Sequence, residues 1–522
     1  MAQQDPLIII VSNRGPYSFT RKDDGEFTYT RGEGGLVTAL SGIMQHYDVM
    51  WVAVALSDDD KAWAESHDDQ PQQIDDTLLK LVSTEKDRYD QYYNHIANPL
   101  LWFIHHQLWN VPFKPDIDQT MWEAWREGYT HINRQIAEVV AEQINQIDRP
   151  VIVFPQDYHL YLFPQFLREL VGDDVQIQPF IHIPWPGPDA WRLLPVEMRS
   201  AVVDSLLQSN RIGFQTQRDA FNFIQTARFY QDDAHTRGSR YSIEYKGRRV
   251  DAKDYPISID VEKVHNIVQE PQTQLLKSTL LNFTTDKKII LRVDRIEPSK
   301  NILRGLQAYR SLLESYPEHR GNVHMLMLLV PSRMEVEEYQ DYLKDLTAEA
   351  GMINAEYSTA FWEPVRIIMG NNYPRAIAAF QIYDALLINP IADGMNLVAK
   401  EGALINQRDG VLILSEHAGA FYELGENALI VNPFDIYNTA NAMHQALTMS
   451  VAEKQERADA LREQVKSADI RVWFSNQLDD ALRAMSTQSK KSSTPDTPKT
   501  EKSAASMTTD GVSSESTPKP KA

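Results

Sequence analysis

Short runs that are mainly apolar instead of alternating, many of their residues β-branched, recur between longer amphipathic stretches and restrict this chain to one kind of sheet. They lie at 7–11 (LIIIV), 50–55, 151–154, 179–183 and 211–214, and again at 288–293, 324–330, 385–388, 411–414 and 428–431. A strand apolar on both faces must be covered on both, as parallel strands are when helices flank the sheet; a sheet with one wet face alternates instead. The expectation is an α/β architecture. Roughly ten to twelve such strands exceed what one doubly wound sheet normally uses, so two domains are expected.

The polar stretch at 260–286 separates the two series and sets the expected division: an N-terminal domain over 1–262, a C-terminal domain over 263–465, and a helix at about 466–485 that packs back on the first. Residues 232–253, with Gly238 and Gly247, read as a β-hairpin excursion. Residues 486–522 are Ser, Thr, Lys and Pro with almost no large apolar side chain, six lysines against four acids, and are expected to be disordered. With Lys+Arg 52 against Asp+Glu 72 the net charge is −20, which argues against broad binding to nucleic acid or anionic lipid. The absence of cysteine excludes disulfides, thiolate metal sites and a Cys nucleophile. No apolar run approaches the roughly 18 residues of a membrane span and the start lacks a basic signal, so a cytoplasmic protein is expected.

Ligands of open α/β sheets gather beyond the carboxyl ends of strands, and five such places carry chemistry. After LIIIV come Ser12, Asn13 and Arg14, then Gly34 and Gly35, where an Arg fork and close backbone amides suit an anion; a hairpin turn with a surface Arg reads equally well. After 151–154 come Gln156, Asp157, Tyr158 and His159, able to bind hydroxyls or to serve as a helix cap. His182 opens a stretch with three prolines, HIPWPGP, either a rigid binding wall or a strand-ending turn. Arg295 and Lys300 flank a strand-to-helix turn as a clamp for a diphosphate, unless Asp294 and Glu297 neutralise them as a surface ion-pair cluster. Asp393-Gly-Met-Asn-Leu-Val-Ala-Lys-Glu401 places a tight turn before a helix whose first amides attract phosphate, with Glu401 one turn in; an N-capping Asp and a solvated Glu are the plainer reading. The aromatic segment 92–106 reads as a helix core stripe, and adjacent His105 and His106 point apart, so they are no metal pair. No H-E-x-x-H, G-x-S-x-G, P-loop or calcium-loop spacing occurs, and neither a metal nor a cofactor is expected.

Together VSNR, GGL, YYN with a Trp nine residues after the second Tyr, DYHL, HIP, R-x-x-x-x-K, PSR and DGMNLVAKE resemble the trehalose-6-phosphate synthase family of retaining nucleotide-sugar glycosyltransferases, over roughly 7–485. The resemblance implies two Rossmann-like doubly wound domains facing across a cleft, the GT-B fold. It also implies glucose transfer from a nucleotide-glucose donor, UDP-glucose above all, to glucose 6-phosphate. Residue by residue it assigns acceptor phosphate to Arg14 and Arg333, the acceptor pocket to Tyr93 and Trp102, acceptor hydroxyls to Asp157, and a place beside the donor sugar to His182. It assigns the donor diphosphate to Arg295, Lys300 and Gly35, the donor hexose to Asp393, the phosphates to the Leu397 and Val398 amides, and the ribose to Glu401.

The chain departs from the family pattern at Gln156, at Ala392, in R-I-E-P-S-K-N and in HIPWPGP. These departures keep a glucosylglycerol-phosphate synthase and a cyclitol-coupling pseudo-glycosyltransferase as alternatives. A non-catalytic sugar-phosphate sensor is the reading from another class, and a homo-oligomer stays open.

Overall fold

The computed structural model describes residues 5–32, 47–284 and 287–492. The chain divides into the units Met1–Ala481 and Leu482–Ala522, and the sheets and the site described below lie in the first.

All ten apolar runs contain strands. Around the first series, one sheet runs in the spatial order Gln72–Ile74, Thr77–Val82, Val49–Val54, Leu7–Arg14, Val151–Pro155, Gln176–Ile177. A bridge from Gln156 to Phe180 leads into a second sheet, ordered Phe180–Ile181, Arg211–Phe214, Arg248–Asp254, Ser242–Tyr245, His235–Thr236. The expected hairpin forms, Ser242–Tyr245 pairing antiparallel with Arg248–Asp254. It is no excursion, because Arg248–Asp254 also pairs in parallel with Arg211–Phe214 and so extends the sheet.

The second series builds a sheet in the order Val365–Met369, Val323–Val330, Lys288–Arg295, Ala385–Ile388, Val411–Ser415, Leu429–Val431. In chain order this is 3-2-1-4-5-6, the doubly wound arrangement, with its switch point between Lys288–Arg295 and Ala385–Ile388. The carboxyl ends of these two strands lead directly into Arg295–Lys300 and into 389–397. In the first sheet the corresponding pair is Leu7–Arg14 beside Val151–Pro155, ending at Arg14 and Asp157. The fold therefore delivers four of the five sequence motifs to two switch points.

The two sheets of the first lobe share one core, and the sheet of the second lobe has its own. Leu7 to Val11 are at most 3% exposed, and burying each such side chain contributes about 1.5–3 kcal/mol. That is enough to offset several strained backbones at the strand ends, each costing about 1–3 kcal/mol. Helices Val261–Gln269 and Pro271–Thr284, in the stretch read as the join, pack on helices of the second lobe, Tyr373–Phe380 and Leu397–Ile405. Helix Ile470–Ser492 sends Trp473 and Phe474 against the first lobe: the Trp473 indole donates to the Tyr255 carbonyl at 2.9 Å, and Phe474 lies 4.8 Å from Phe154. The helix runs on into the stretch expected to be disordered; the rest of that stretch, 493–522, and Gly34 and Gly35 lie outside the described residues.

Candidate active site

Asp157 sits just past Val151–Pro155 with φ +70° and ψ 177°, a backbone that non-glycine residues rarely adopt. Its carboxylate does not cap the following turn, as the plainer reading had it. Instead Oδ1 accepts from the His182 amide at 3.2 Å. Burial pushes the Asp157 carboxyl up to about 7, against the pull of the His182 and Tyr158 amides.

His182 is held between Gln156, whose Oε1 is 3.0 Å from Nε2, and Gln215, whose Nε2 is 3.5 Å from Nδ1. Gln215 accepts from the Ile257 amide through Oε1, so its nitrogen donates to Nδ1, and the proton of His182 belongs on Nε2. Burial pushes this imidazole down to about 3; it is neutral at physiological pH. Gln156, a departure from the family pattern, thus acts as the acceptor that fixes the tautomer.

The aromatic segment 92–106 includes π-helical turns over Gln91–Leu101. It buries a core stripe as expected, but the Trp102 face looks across to the second lobe. The Arg333 guanidinium lies 4.0 Å over Trp102 and donates to the Tyr339 hydroxyl at 2.6 Å and to the Tyr158 hydroxyl at 3.3 Å. Arg333 itself has φ +49°. Tyr93 stacks on His159 at 5.7 Å and on Tyr89 at 5.6 Å, and Tyr89 accepts from Asn13, next to Arg14, at 3.2 Å. Arg14 ends its strand exposed.

On the second lobe, Lys300 Nζ donates to Asp393 Oδ2 at 2.6 Å. Burial would lift the Asp393 carboxyl, but Lys300 and the Asn396 amide group outweigh it and hold it below the usual range. Arg295, half exposed, pairs with Glu297 at 3.2 Å, and the same carboxylate oxygen lies 3.5 Å from Arg333 and accepts from Ser332 Oγ at 3.1 Å. Glu297 does neutralise cations, as the alternative reading held, but it is fully buried and no surface cluster. Asp294 pairs with Arg292 at 2.8 Å.

The helix after Asp393 is Leu397–Ile405, capped by Asn396, which accepts from the Ala399 amide at 3.2 Å; the capping Asp of the plainer reading is corrected to Asn396. The Leu397 and Val398 amides fall in its first turn, where helix geometry leaves N–H groups without a carbonyl. Glu401, one turn on, is not simply solvated: Tyr373 donates to it at 2.8 Å, and burial pushes its carboxyl up to about 7.

The structure therefore brings Tyr93, Trp102, Asp157, His182, Arg295, Lys300, Arg333 and Asp393 to one interlobe region. Arg14 is attached through Asn13 and Tyr89, and Glu401 stands further along its helix. Sequence reasoning missed His106, whose ring stacks on Trp102 at 4.0 Å and whose charge would be felt by Asp393 and Glu297. It missed Lys400, buried against Glu423 at 2.8 Å and donating to the Ile257 carbonyl at 2.8 Å. It also missed the close approach of Gly394 to His182, where a β-carbon would stand 1.8 Å from the His182 carbonyl oxygen. Beside this contact a pocket of about 150 Å³ is lined from both lobes by Pro184, Gly187, Asp393, His417, Gly419 and Phe434.

Known proteins are similar to this chain in sequence and in fold. An alpha,alpha-trehalose-phosphate synthase [UDP-forming] of Yarrowia lipolytica is 34% identical over 480 residues, 90% of this chain and 97% of the relative. One of Schizosaccharomyces pombe is 31% identical over 485 residues, 90% of each. A trehalose-6-phosphate enzyme structure from E. coli, bound with UDP-2-fluoro glucose, superposes with a TM-score of 0.78 at 28% identity, covering 91% of this chain and 98% of that one. A Burkholderia xenovorans synthase in complex with glucose-6-phosphate gives 0.76 at 28% identity, covering 91% and 99%. The fold is thus the expected GT-B pair of lobes, and no helix among the described residues is long and apolar enough to cross a membrane. With a family profile matched from residue 6 to residue 483, the chain belongs to glycosyltransferase family 20.

Proposed function

We propose that this enzyme transfers glucose from UDP-glucose to glucose 6-phosphate with retention, forming alpha,alpha-trehalose 6-phosphate. The observation that carries the reading is the buried Glu297 carboxylate, which lies within 3.5 Å of both Arg295 and Arg333. One side chain thereby joins a cation assigned to the donor diphosphate to a cation assigned to the acceptor phosphate. Relatives named as UDP-forming synthases, and related structures holding a UDP-glucose analogue or glucose 6-phosphate, support the choice of substrates.

In this reading the lobe over 1–262, with the helix near 466–485, binds the acceptor, and 263–465 binds the donor. As the glycosidic bond of the donor breaks, negative charge grows on the departing diphosphate. Arg295, Lys300 and the first-turn amides at Leu397 and Val398 stabilise it where it develops. Arg14 and Arg333 hold the acceptor phosphate, Trp102 and Tyr93 wall the sugar, and Asp157 accepts its hydroxyls. The acceptor hydroxyl attacks from the face the diphosphate leaves, and a diphosphate oxygen takes its proton. Neutral His182, locked by two glutamines, faces the donor sugar without carrying a charge of its own. We place the reaction in the cytoplasm.

The test incubates purified protein with UDP-glucose and either glucose 6-phosphate or glycerol 3-phosphate and follows UDP release. Turnover with glucose 6-phosphate is expected; turnover with glycerol 3-phosphate alone moves the assignment to glucosylglycerol phosphate, and binding without turnover of any donor leaves the sensor reading.

Glu401 gives this reading a pH signature. Ionised, this carboxyl accepts both ribose hydroxyls, whereas protonation turns one of its oxygens into a donor, and burial pushes it up to about 7. Below that pH the affinity for UDP-glucose should fall by up to about tenfold per pH unit, as one proton must leave before binding. Calorimetric titration between mildly acidic and mildly alkaline pH checks it, and Glu401→Gln should bind more weakly with that dependence flattened. An unchanged slope in the variant would assign the titration elsewhere.

A further inference from the structure

At the end of the second lobe opposite the donor motif, two histidines and a glutamate converge. Helix Ile302–Ser315 begins directly after Lys300 and Asn301 and leads, through Tyr316, into the short turn Pro317–His319. Helix Ile436–Thr448 packs beside it. His319, 5% exposed, points Nε2 at His444 Nδ1 at 3.0 Å, and Glu318 Oε1 lies 3.9 Å from the same His444 nitrogen. These three ligand atoms all fall within 4.8 Å of one another, the one group of this kind among the described residues.

Two features separate this cluster from a chance surface contact. The His444 ring is fixed: Tyr316 stacks on it at 3.8 Å and 11°, and the Tyr316 hydroxyl is in turn anchored on Asn441 at 3.0 Å. Two imidazole nitrogens aimed at each other satisfy both rings only if a single proton, or one shared cation, lies between them. With metal–nitrogen bonds of about 2.0–2.1 Å, tetrahedral ligands stand about 3.3–3.4 Å apart, so the nitrogens need to move by only a few tenths of an ångström. Glu318 is mostly exposed and can swing to close the third side. The Lys288 ammonium near His319 is turned away onto the Leu447 carbonyl at 2.5 Å.

We propose that Glu318, His319 and His444 form a binding site for a zinc-class divalent cation, with solvent completing the fourth position. Two nitrogens and one carboxylate suit such an ion and not magnesium or calcium, which take oxygen ligands. The ion ties the turn after Ile302–Ser315 to Ile436–Thr448. At their other ends these helices are already joined, because Asn301 Nδ2 donates to the Pro433 carbonyl at 2.6 Å. A bound cation thus closes a brace around the pair of helices that carries the donor clamp, remote from the reacting groups.

The full chain, freed of metal by chelator and dialysed, is titrated with zinc chloride by calorimetry and by thermal melting, with magnesium chloride in parallel. One zinc per chain is expected, with a rise in Tm and no response to magnesium. His444→Ala and Glu318→Ala, both at partly exposed positions, should each weaken that binding by about tenfold or more, while His265→Ala, an exposed histidine on Val261–Gln269, should leave it unchanged. Absence of stoichiometric zinc binding overturns the proposal, and so does an affinity in Glu318→Ala and His444→Ala equal to that of the unsubstituted chain. If His444→Ala melts abnormally before metal is added, Glu318→Ala alone decides.

Discussion

Lys300→Ala is expected to lower kcat/KM by about a hundredfold or more, the loss that follows removal of one preorganised charge partner of a developing anion. Lys300 stands at the switch point of the second sheet with its side chain 14% exposed. Its ammonium is 2.6 Å from Asp393, with Asp294 also near. Removing it withdraws positive charge from the departing diphosphate. It also leaves Asp393 buried with Asn396 as its remaining partner, so a carboxyl now held below its usual range takes up a proton and loses its hold on the hexose. Breaking a buried ion pair can itself cost about 3–5 kcal/mol of stability, so Tm read beside the rate separates catalytic from structural duty. Lys300→Arg keeps the charge but not the compact ammonium that fits beside Asp393, and should recover only part of the rate. The measurement is initial-rate UDP release with donor and acceptor varied separately, alongside Tm. A variant within a few-fold of wild type would remove Lys300 from the clamp.

Much of this site was legible because each motif follows an apolar run, and a run apolar on both faces fixes where a strand ends. Arg14, Asp157 and Lys300 could be placed at sheet crevices before any coordinate existed. Weaker strands were missed for the same reason: Thr77–Val82 carries Lys80 in its middle and Val365–Met369 carries Arg366, so neither reads as continuous apolar matter. Partnerships across the chain were not legible either. Nothing local says that Glu297 reaches both Arg295 and Arg333, or that Gln156 and Gln215 lock His182, because such contacts depend on how two sheets are brought together. Arg292 reads as one more cation beside Arg295, yet it is wholly buried, donating to Asn389 at 2.6 Å and pairing with Asp294. The backbone adds a mark that sequence does not carry: of ten non-glycine residues with positive φ among the described residues, Asp157, Asn301, Arg333 and Asn396 fall inside sequence motifs, and strain of this kind collects at working sites.

Gly394→Ala carries the second large effect, and it tests whether the lobes must meet. Gly394 does not adopt a left-handed backbone, so alanine meets no conformational penalty there. What it meets is the other lobe: the added carbon would lie 1.8 Å from the His182 carbonyl oxygen, 2.9 Å from its carbon and 3.3 Å from the Ile183 Cα. All three are backbone atoms at the start of a proline-rich segment that cannot yield cheaply. The collision is relieved by parting the lobes, which carries Asp393 and Lys300 away from Asp157 and His182. A misplacement near 1 Å can cost about a hundredfold in rate, and that is the expected minimum loss in kcat/KM, with each lobe still folded and Tm lowered by only a few degrees. Gly419→Ala supplies the contrast. Its new carbon would lie 1.8 Å from the Gly394 carbonyl oxygen, within the same lobe, so it should distort the Asp393–Asn396 turn and depress Tm together with activity. Near-wild-type turnover by Gly394→Ala would show that catalysis proceeds without this contact, and the interlobe assignment of the donor and acceptor groups would have to be rebuilt.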